Sequence, residues 1–125
     1  MTPEYIPGVC NIGPTEIAMR SRVGWLGLGV TILVFADLVF FRVNPAWRWL
    51  IVIPAALSAT GFLQAYFHFC AGYGLRGLMN FGTEIGKGET VMQAEFRKQD
   101  KARAQQLFLS SLLIGIIVAL IAVYV

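Results

Sequence analysis

Three long apolar runs, residues 24–41, 49–71 and 107–125, constrain what this chain can fold into more than any other feature. Roughly 17–25 apolar helical residues cross the bilayer's hydrocarbon core, which is about 30 Å thick. Each run has that length and holds at most one aspartate, glutamate, lysine, arginine or histidine. The sequence therefore predicts an all-α membrane protein with three transmembrane helices.

The composition leaves little room for a soluble domain. Of the 125 residues, 57% are apolar, and neither the N-terminal segment nor the linker before the third run can bury a core of its own. The formal net charge is +3, but the basic residues flank the apolar runs, where anionic headgroups are the natural partners. Membrane lipids are thus predicted partners, and nucleic acid is not.

Unequal positive charge between the runs predicts how the chain is threaded. Eight of the ten lysines and arginines precede the first run or lie between the second and third, and only Arg42 and Arg48 lie in the short loop. Because basic loops stay in the cytoplasm, the N-terminus is predicted inside and the C-terminus outside. The third helix is then expected to extend into the cytoplasm.

The chain divides into three predicted regions. Residues 1–13 are expected to be irregular, and a helix is expected to begin near Pro14. Residues 14–82 would form a two-helix transmembrane hairpin. Residues 83–125 would form a glycine-rich linker and one long helix, beginning near Glu89 and ending as the third span.

Small and polar residues recur at helical spacing in two of the spans. In span two these are Ser58, Gly61, Gln64 and His68, and in span three they are Ser111, Gly115 and Ala119. Such rows let helix backbones approach closely and face protein rather than lipid. They predict packing or interface surfaces, within the chain or with other membrane protein subunits.

Two stretches also resemble a known family. They are Asn11-x-Gly13-x-x-Glu16-x-x-x-Arg20-x-x-x-Gly24, and Thr60-Gly61 followed by Phe69-Cys70-x-x-Tyr73-Gly74-Leu75-x-Gly77. Together, over about residues 10–82, they resemble the small helical-hairpin transmembrane domain of the YgaP-type inner-membrane rhodanese, a domain of unknown function.

This resemblance implies a two-helix hairpin, a multi-pass location in a bacterial inner membrane, and a distant link to sulfur chemistry. The chain departs from the family at Cys70-Ala71, where Cys-Pro is usual, and its third span lies outside the pattern. The resemblance therefore bears more on the hairpin than on an activity.

Few residues suggest chemistry of their own. Cys70 is either a reactive thiolate or a small side chain packed at the end of span two, where the negative end of the helix dipole would disfavour a thiolate. His68 is either a haem or chlorin ligand or a partner in an interhelical hydrogen bond. Arg76 is expected to bind a lipid headgroup. Asp37 is either the ion-pair partner of an arginine of the short loop or a gate residue in a pathway.

Other patterns carry no prediction of a site. Gly72-x-Gly74-x-x-Gly77 matches a dinucleotide fingerprint, but it follows a membrane span instead of standing between a strand and a helix. Two cysteines and one histidine cannot complete a usual zinc site. No catalytic residue, metal or cofactor is predicted, and the chain is not expected to be an enzyme.

The sequence is compatible with three functions. The first is a structural or accessory subunit that packs through its small-residue rows, in a homo-oligomer or a larger membrane complex. The second is an oligomeric transporter or channel for a small anion or sulfur species. The third is a small haem- or chlorin-binding subunit that uses His68.

Overall fold

The computed structural model describes residues 5–125, and three long helical segments dominate this part of the chain. In chain order the elements are α1 (Pro14–Phe40), α2 (Pro45–Arg48), a 3-10 turn (Trp49–Ile51), α3 (Val52–Phe67), α4 (Ala71–Arg76), β1 (Leu78–Met79), β2 (Glu89–Thr90) and α5 (Ala94–Tyr124). The segments Pro14–Phe40, Pro45–Phe67 and Ala94–Tyr124 are each long and apolar enough to cross a membrane. The predicted helical fold with three membrane-length helices is thus confirmed. Residues 1–4 of the predicted irregular segment lie outside the described residues.

Helices α1 and α2 each begin at a proline that follows a residue suited to the N-cap position. Gly13 is the N-cap of α1, and Pro14 occupies the first helical position. Asn44 caps α2, where its side chain accepts a hydrogen bond from the Ala46 amide at 3.0 Å. Proline suits a first turn because its φ angle is already helical and its missing amide hydrogen would have no partner there.

The second span ends earlier than the predicted residue 71. Helix α3 stops at Phe67, and His68 follows in the left-handed conformation with φ of 55°. Gln64 stabilises the break, because its backbone carbonyl accepts from the Phe69 amide at 3.0 Å and its side-chain oxygen accepts from the Ala71 amide at 2.9 Å. Cys70 is therefore the N-cap of the next helix, α4, rather than the C-terminal end of span two.

A short hairpin precedes the last helix. Strands β1 and β2 are antiparallel, with Leu78 opposite Thr90 and Met79 opposite Glu89. Val91 extends the contact by donating its amide to the Gly77 carbonyl at 2.8 Å. Since Glu89 is used in this pairing, the long helix begins five residues later than predicted, at Ala94.

Helix α3 is the centre of the bundle, with α1 and α5 packed along it and touching each other only marginally. Gly61 and Gly24 bring α3 and α1 into backbone contact, since a Cβ on Gly61 would lie 2.5 Å from the Gly24 nitrogen. Ser58 donates to the Gly24 carbonyl at 2.8 Å. Gly115 also brings α5 close to α3, although less tightly, with a Cβ placed there 3.1 Å from Ala56 Cβ.

The two ends of the bundle differ in chemistry. At the short-loop end, the buried Arg48 donates to the carbonyls of Val43 and Ala122, both at 2.9 Å, and ties the loop to the last turn of α5. The other end holds residues 5–20, α4, the hairpin and the first turns of α5, and we call it the basic end. There the fully buried Asp100 accepts from the Tyr5 hydroxyl at 2.6 Å and the Gly8 amide at 2.7 Å.

The contact at Gly61 predicts a large effect of a single methyl group. In Gly61→Ala the new Cβ meets backbone atoms of α1, so the helices must separate, and we expect unfolding to require about 1–3 kcal/mol less free energy. The measurement is titration with a denaturing detergent, followed by circular dichroism. Gly29→Ala is the matched control, because a Cβ at Gly29 meets nothing within 4 Å. Equal effects of the two substitutions would contradict the close contact.

Candidate functional site

A buried carboxylate lies at the centre of the basic end. Glu16, in the first turns of α1, is fully buried, and its Oε1 accepts three hydrogen bonds. The donors are the Tyr73 hydroxyl at 2.9 Å, Asn80 Nδ2 at 3.0 Å and the Gly86 amide at 2.8 Å. The other oxygen, Oε2, pairs with Arg20 at 3.0 Å. Such compensation is what a buried charge requires.

Arg20 links this carboxylate to a thiol. Its Nη2 lies 3.0 Å from Glu16 Oε2 and also 3.0 Å from Cys70 Sγ. The guanidinium carbon is 6.0 Å from the centre of the Tyr73 ring, so the cation also faces an aromatic surface. Glu16 and Arg20 are four residues apart on α1. Because side chains at this spacing are neighbours on a helix surface, the predicted helix brings the two charges together.

Asn11 holds the backbone of Cys70. Its Oδ1 accepts from the Cys70 amide at 2.7 Å, and its Nδ2 donates to the Cys70 carbonyl at 3.1 Å. The backbone of Asn11 is equally engaged, since its amide donates to the His68 carbonyl at 3.2 Å and its carbonyl accepts from the Asn80 amide at 2.9 Å. Asn11 thus fixes the chain between α3 and α4.

Asn80 and Gly86 belong to the site, although no sequence pattern indicated either of them. Besides its bond to Glu16, Asn80 donates to the Glu84 carbonyl at 2.9 Å and accepts from the Gly82 amide at 3.0 Å. These bonds shape the turn that presents the Gly86 amide to Glu16. The glycine-rich sequence signalled only a turn, and nothing local showed that an asparagine in it would be buried.

Burial and the neighbouring carboxylate affect the protonation of this site. Burial raises the pKa of the Tyr73 hydroxyl, and its hydrogen bond to Glu16 raises it further. Tyr73 therefore stays a donor over the physiological range. Burial also raises the pKa of the other thiol, Cys10, against the opposing effect of its hydrogen bond to the Ile12 carbonyl.

The residues that carry the family resemblance lie close together although up to 62 residues separate them in the chain. Asn11, Glu16, Arg20, Cys70 and Tyr73 form the hydrogen-bonded group just described, which we call, together with Asn80, the polar cluster. Gly13 and Gly24 of the pattern both lie at close contacts: a Cβ at Gly13 would lie 3.1 Å from Phe81 Cα, and one at Gly24 would lie 2.8 Å from the Phe62 ring.

The small and polar rows of spans two and three pack mainly inside the chain. In span two, Ser58, Gly61 and Gln64 are buried, and Gln64 Nε2 also donates to the Thr60 carbonyl at 3.1 Å. Ser111, Gly115 and Ala119 are buried on α5, where Ser111 donates to the Leu107 carbonyl at 2.9 Å. His68 differs, because it is exposed beyond the end of α3.

Asp37 and Arg76 lie apart from the polar cluster. Asp37 is exposed on α1, and within residues 5–125 no ion pair joins it to an arginine, because Arg48 binds backbone carbonyls instead. Arg76 is exposed at the end of α4, with its Nε donating to the Gly72 carbonyl at 3.1 Å. No group of three or more metal-binding side chains occurs in the part of the chain that the structure describes.

The arrangement is closed as well as polar. Cys70 is 4% exposed, Tyr73 3% and Glu16 not at all, so these three side chains present almost no surface to a large substrate. Its bonds join α1, α4 and the hairpin, and in chemical terms it can fix these elements and hold a thiol beside a guanidinium. Comparison of the chain with family models, curated proteins and solved structures finds no match.

Removal of the buried charge should loosen the whole basic end. Glu16→Gln keeps the shape of the side chain but leaves Arg20 without its counter-charge and places an amide among groups that donate. We expect the free energy of unfolding to fall by about 2–4 kcal/mol, measured by denaturing-detergent titration.

The matched control is Glu84→Gln, which removes one carboxylate from an exposed pair with Lys87. This change should alter stability by no more than about 0.5 kcal/mol. If Glu16→Gln is equally mild, the carboxylate does not organise the basic end.

Proposed function

We propose that this chain is a small integral membrane protein that acts as a structural or accessory subunit, in a homo-oligomer or a larger membrane complex. The observation that carries the proposal is the poor burial of α1. Only 11% of its apolar stretch is buried inside the chain, against 33% for the second span and 28% for the third. Helix α1 thus offers a long apolar surface on one edge of the bundle.

A groove beside α1 gives this surface a shape that suits another helix. It has a volume of about 290 Å³ and lies over α3, between Leu28 of α1 and Ile114 of α5. Ala55, Ser58 and Ala59 form its floor. Small residues at such positions let a second backbone approach closely, which favours association between membrane helices.

The polar cluster supports the same function. Most of its donors and acceptors bind one another or the backbone, although the buried Arg20 Nε has no partner within residues 5–125, and Cys70 and Glu16 are themselves buried. The cluster therefore acts as a brace that holds α1, α4 and the hairpin in one arrangement. A rigid bundle with apolar outer surfaces suits a subunit that is recognised by shape.

The charge distribution supports an orientation for the subunit. The eight lysines and arginines outside the short loop flank the basic end, whereas Arg42 and Arg48 belong to the short-loop end. We place the basic end in the cytoplasm, with the short loop and the C-terminus outside. In a bacterium the membrane would be the inner membrane, as the family resemblance implies.

The experiment is gentle-detergent extraction from the native membrane, followed by measurement of the mass and partners of the eluted protein. We expect the wild-type chain to elute in a particle larger than a monomer. Ile114 lines the groove and is 39% exposed. The larger side chain in Ile114→Trp would fill the groove, so this variant should elute as a monomer.

Leu113→Trp is the control for the groove, because Leu113 is 58% exposed on the same helix but does not line it. This variant should elute as the wild type does. A wild-type chain that elutes as a monomer without partners would refute the accessory-subunit proposal.

One contact favours a second candidate function, the handling of a small sulfur species. Arg20 Nη2 lies 3.0 Å from Cys70 Sγ, and a cation beside a cysteine sulfur promotes nucleophilic chemistry there. Inorganic polysulfide is small enough to test it. The Cys70 sulfur would attack a terminal sulfur of the polysulfide, forming a persulfide and releasing a polysulfide one atom shorter.

Cys10 is an internal control for this reaction, because it is also buried, at 7% exposure, and its sulfur has no arginine partner within residues 5–125. We expect mass spectrometry to find one added sulfur atom on the Cys70 peptide at least about tenfold faster than on the Cys10 peptide. Equal rates, or no persulfide at Cys70, would reject the sulfur function and leave the subunit function unaffected.

A further inference from the structure

A basic pocket lies between α4 and α5, outside the polar cluster. It has a volume of about 410 Å³, and Arg76, Arg97, Lys98 and Lys101 contribute to its lining. No carboxylate lines it within residues 5–125, and neither of the two ion pairs of that range involves these four cations. The pocket therefore concentrates positive charge that the described part of the chain does not neutralise.

Two of the four cations are held in place by the backbone. Arg97 Nη1 donates to the carbonyls of Val91 and Met92, at 2.7 and 2.9 Å, and its alkyl chain lies against Gly77. Arg76 is fixed by its bond to Gly72 and by the Tyr73 ring, whose centre is 5.5 Å from its guanidinium carbon. Both guanidinium groups keep further N–H donors for a ligand.

The remaining two cations extend the pocket toward the membrane. Lys98 and Lys101 are exposed on successive turns of α5, which becomes apolar from Leu107 onward. At 1.5 Å per residue, Lys101 lies about 9 Å from Leu107 along the helix. The headgroup layer is about 5–8 Å thick on each side of the hydrocarbon core, so Lys101 lies at its outer boundary, where its long side chain can reach a phosphate.

An apolar groove continues the pocket in the same direction. It is lined by Leu75, Gln105, Phe108 and Leu109 and has a volume of about 390 Å³. Leu75 lines both the pocket and the groove, so the two are neighbours. Phe108 and Leu109 are 61% and 62% exposed, and in a membrane they would contact acyl chains.

We propose that the pocket and groove together form a binding site for one anionic phospholipid. The phosphate would lie among Arg76, Lys98 and Lys101, and an acyl chain would follow α5 past Leu75 to Phe108. The positive charge of the pocket favours an anionic headgroup. Because the apolar groove continues from the pocket, a lipid with acyl chains is favoured over a free anion. The site does not depend on whether the chain forms an oligomer.

The test is native mass spectrometry of the full chain in a neutral detergent, titrated with palmitoyl-oleoyl phosphatidylglycerol or with phosphatidylcholine of the same chains. We expect phosphatidylglycerol to bind at least about tenfold more tightly. The double variant Lys98→Gln/Lys101→Gln should lose about tenfold or more of this affinity and keep its weak binding of phosphatidylcholine. Both lysines are exposed, so a circular dichroism spectrum like that of the wild type is expected.

Two controls separate the site from other causes. Arg22→Gln/Lys87→Gln removes the same charge from exposed positions outside the pocket and should change affinity by less than about twofold. Glycerol phosphate, which has the anion without the chains, should not displace the lipid at equal concentration.

Three results would overturn the proposal. One is equal affinity for the two lipids, and another is an equal loss of affinity in the two double variants. The third is displacement by glycerol phosphate as effective as by lipid, which would show a site for a small anion only.

Discussion

The buried Glu16 carboxylate is the interaction on which the basic end depends. A charge without solvent must be compensated, and here the donors come from α1 itself, from α4 and from the hairpin turn. Because Tyr73 and Asn80 are each more than 50 residues from Glu16 in sequence, the carboxylate links segments that are distant along the chain. Backbone bonds of Asn80 to Asn11 and Gly13, and the buried apolar contacts of Ile12, hold the same segments together around this charge.

The network also depends on how closely α1 and α3 approach. Gly24 and Gly61 remove the side chains that would separate the two helices, and Ser58 then reaches the Gly24 carbonyl. This register places Arg20, one turn before Gly24, beside the chain that leaves α3 at Phe67. Packing in the spans and polar bonding at the basic end are thus two consequences of one helix contact.

The three helices were predictable, because continuous apolar runs of membrane length have few alternatives. The Glu16–Arg20 pair was predictable from helical spacing, and the rows around Gly61 and Gly115 indicated close contacts. The end of α3 could not be predicted from the sequence, because His68 adopts a left-handed conformation that its residue type does not require. The role of Asn80 could not be predicted either, because it depends on a hydrogen bond to Glu16, which lies 64 positions away in the chain.

The cations of this chain differ in whether other groups of the chain bind them. Arg20 and Arg48 form hydrogen bonds within the chain. Arg20 contacts a carboxylate and a sulfur, and Arg48 contacts two backbone carbonyls and so joins the short loop to α5. Lys98 and Lys101 have no acidic partner among residues 5–125, and they lie where the helix meets the predicted membrane surface. Both lysines share a pocket with Arg76 and Arg97, and like charges held close together repel one another. An anionic ligand would relieve this repulsion, and the neighbouring apolar groove favours a ligand with a hydrocarbon chain.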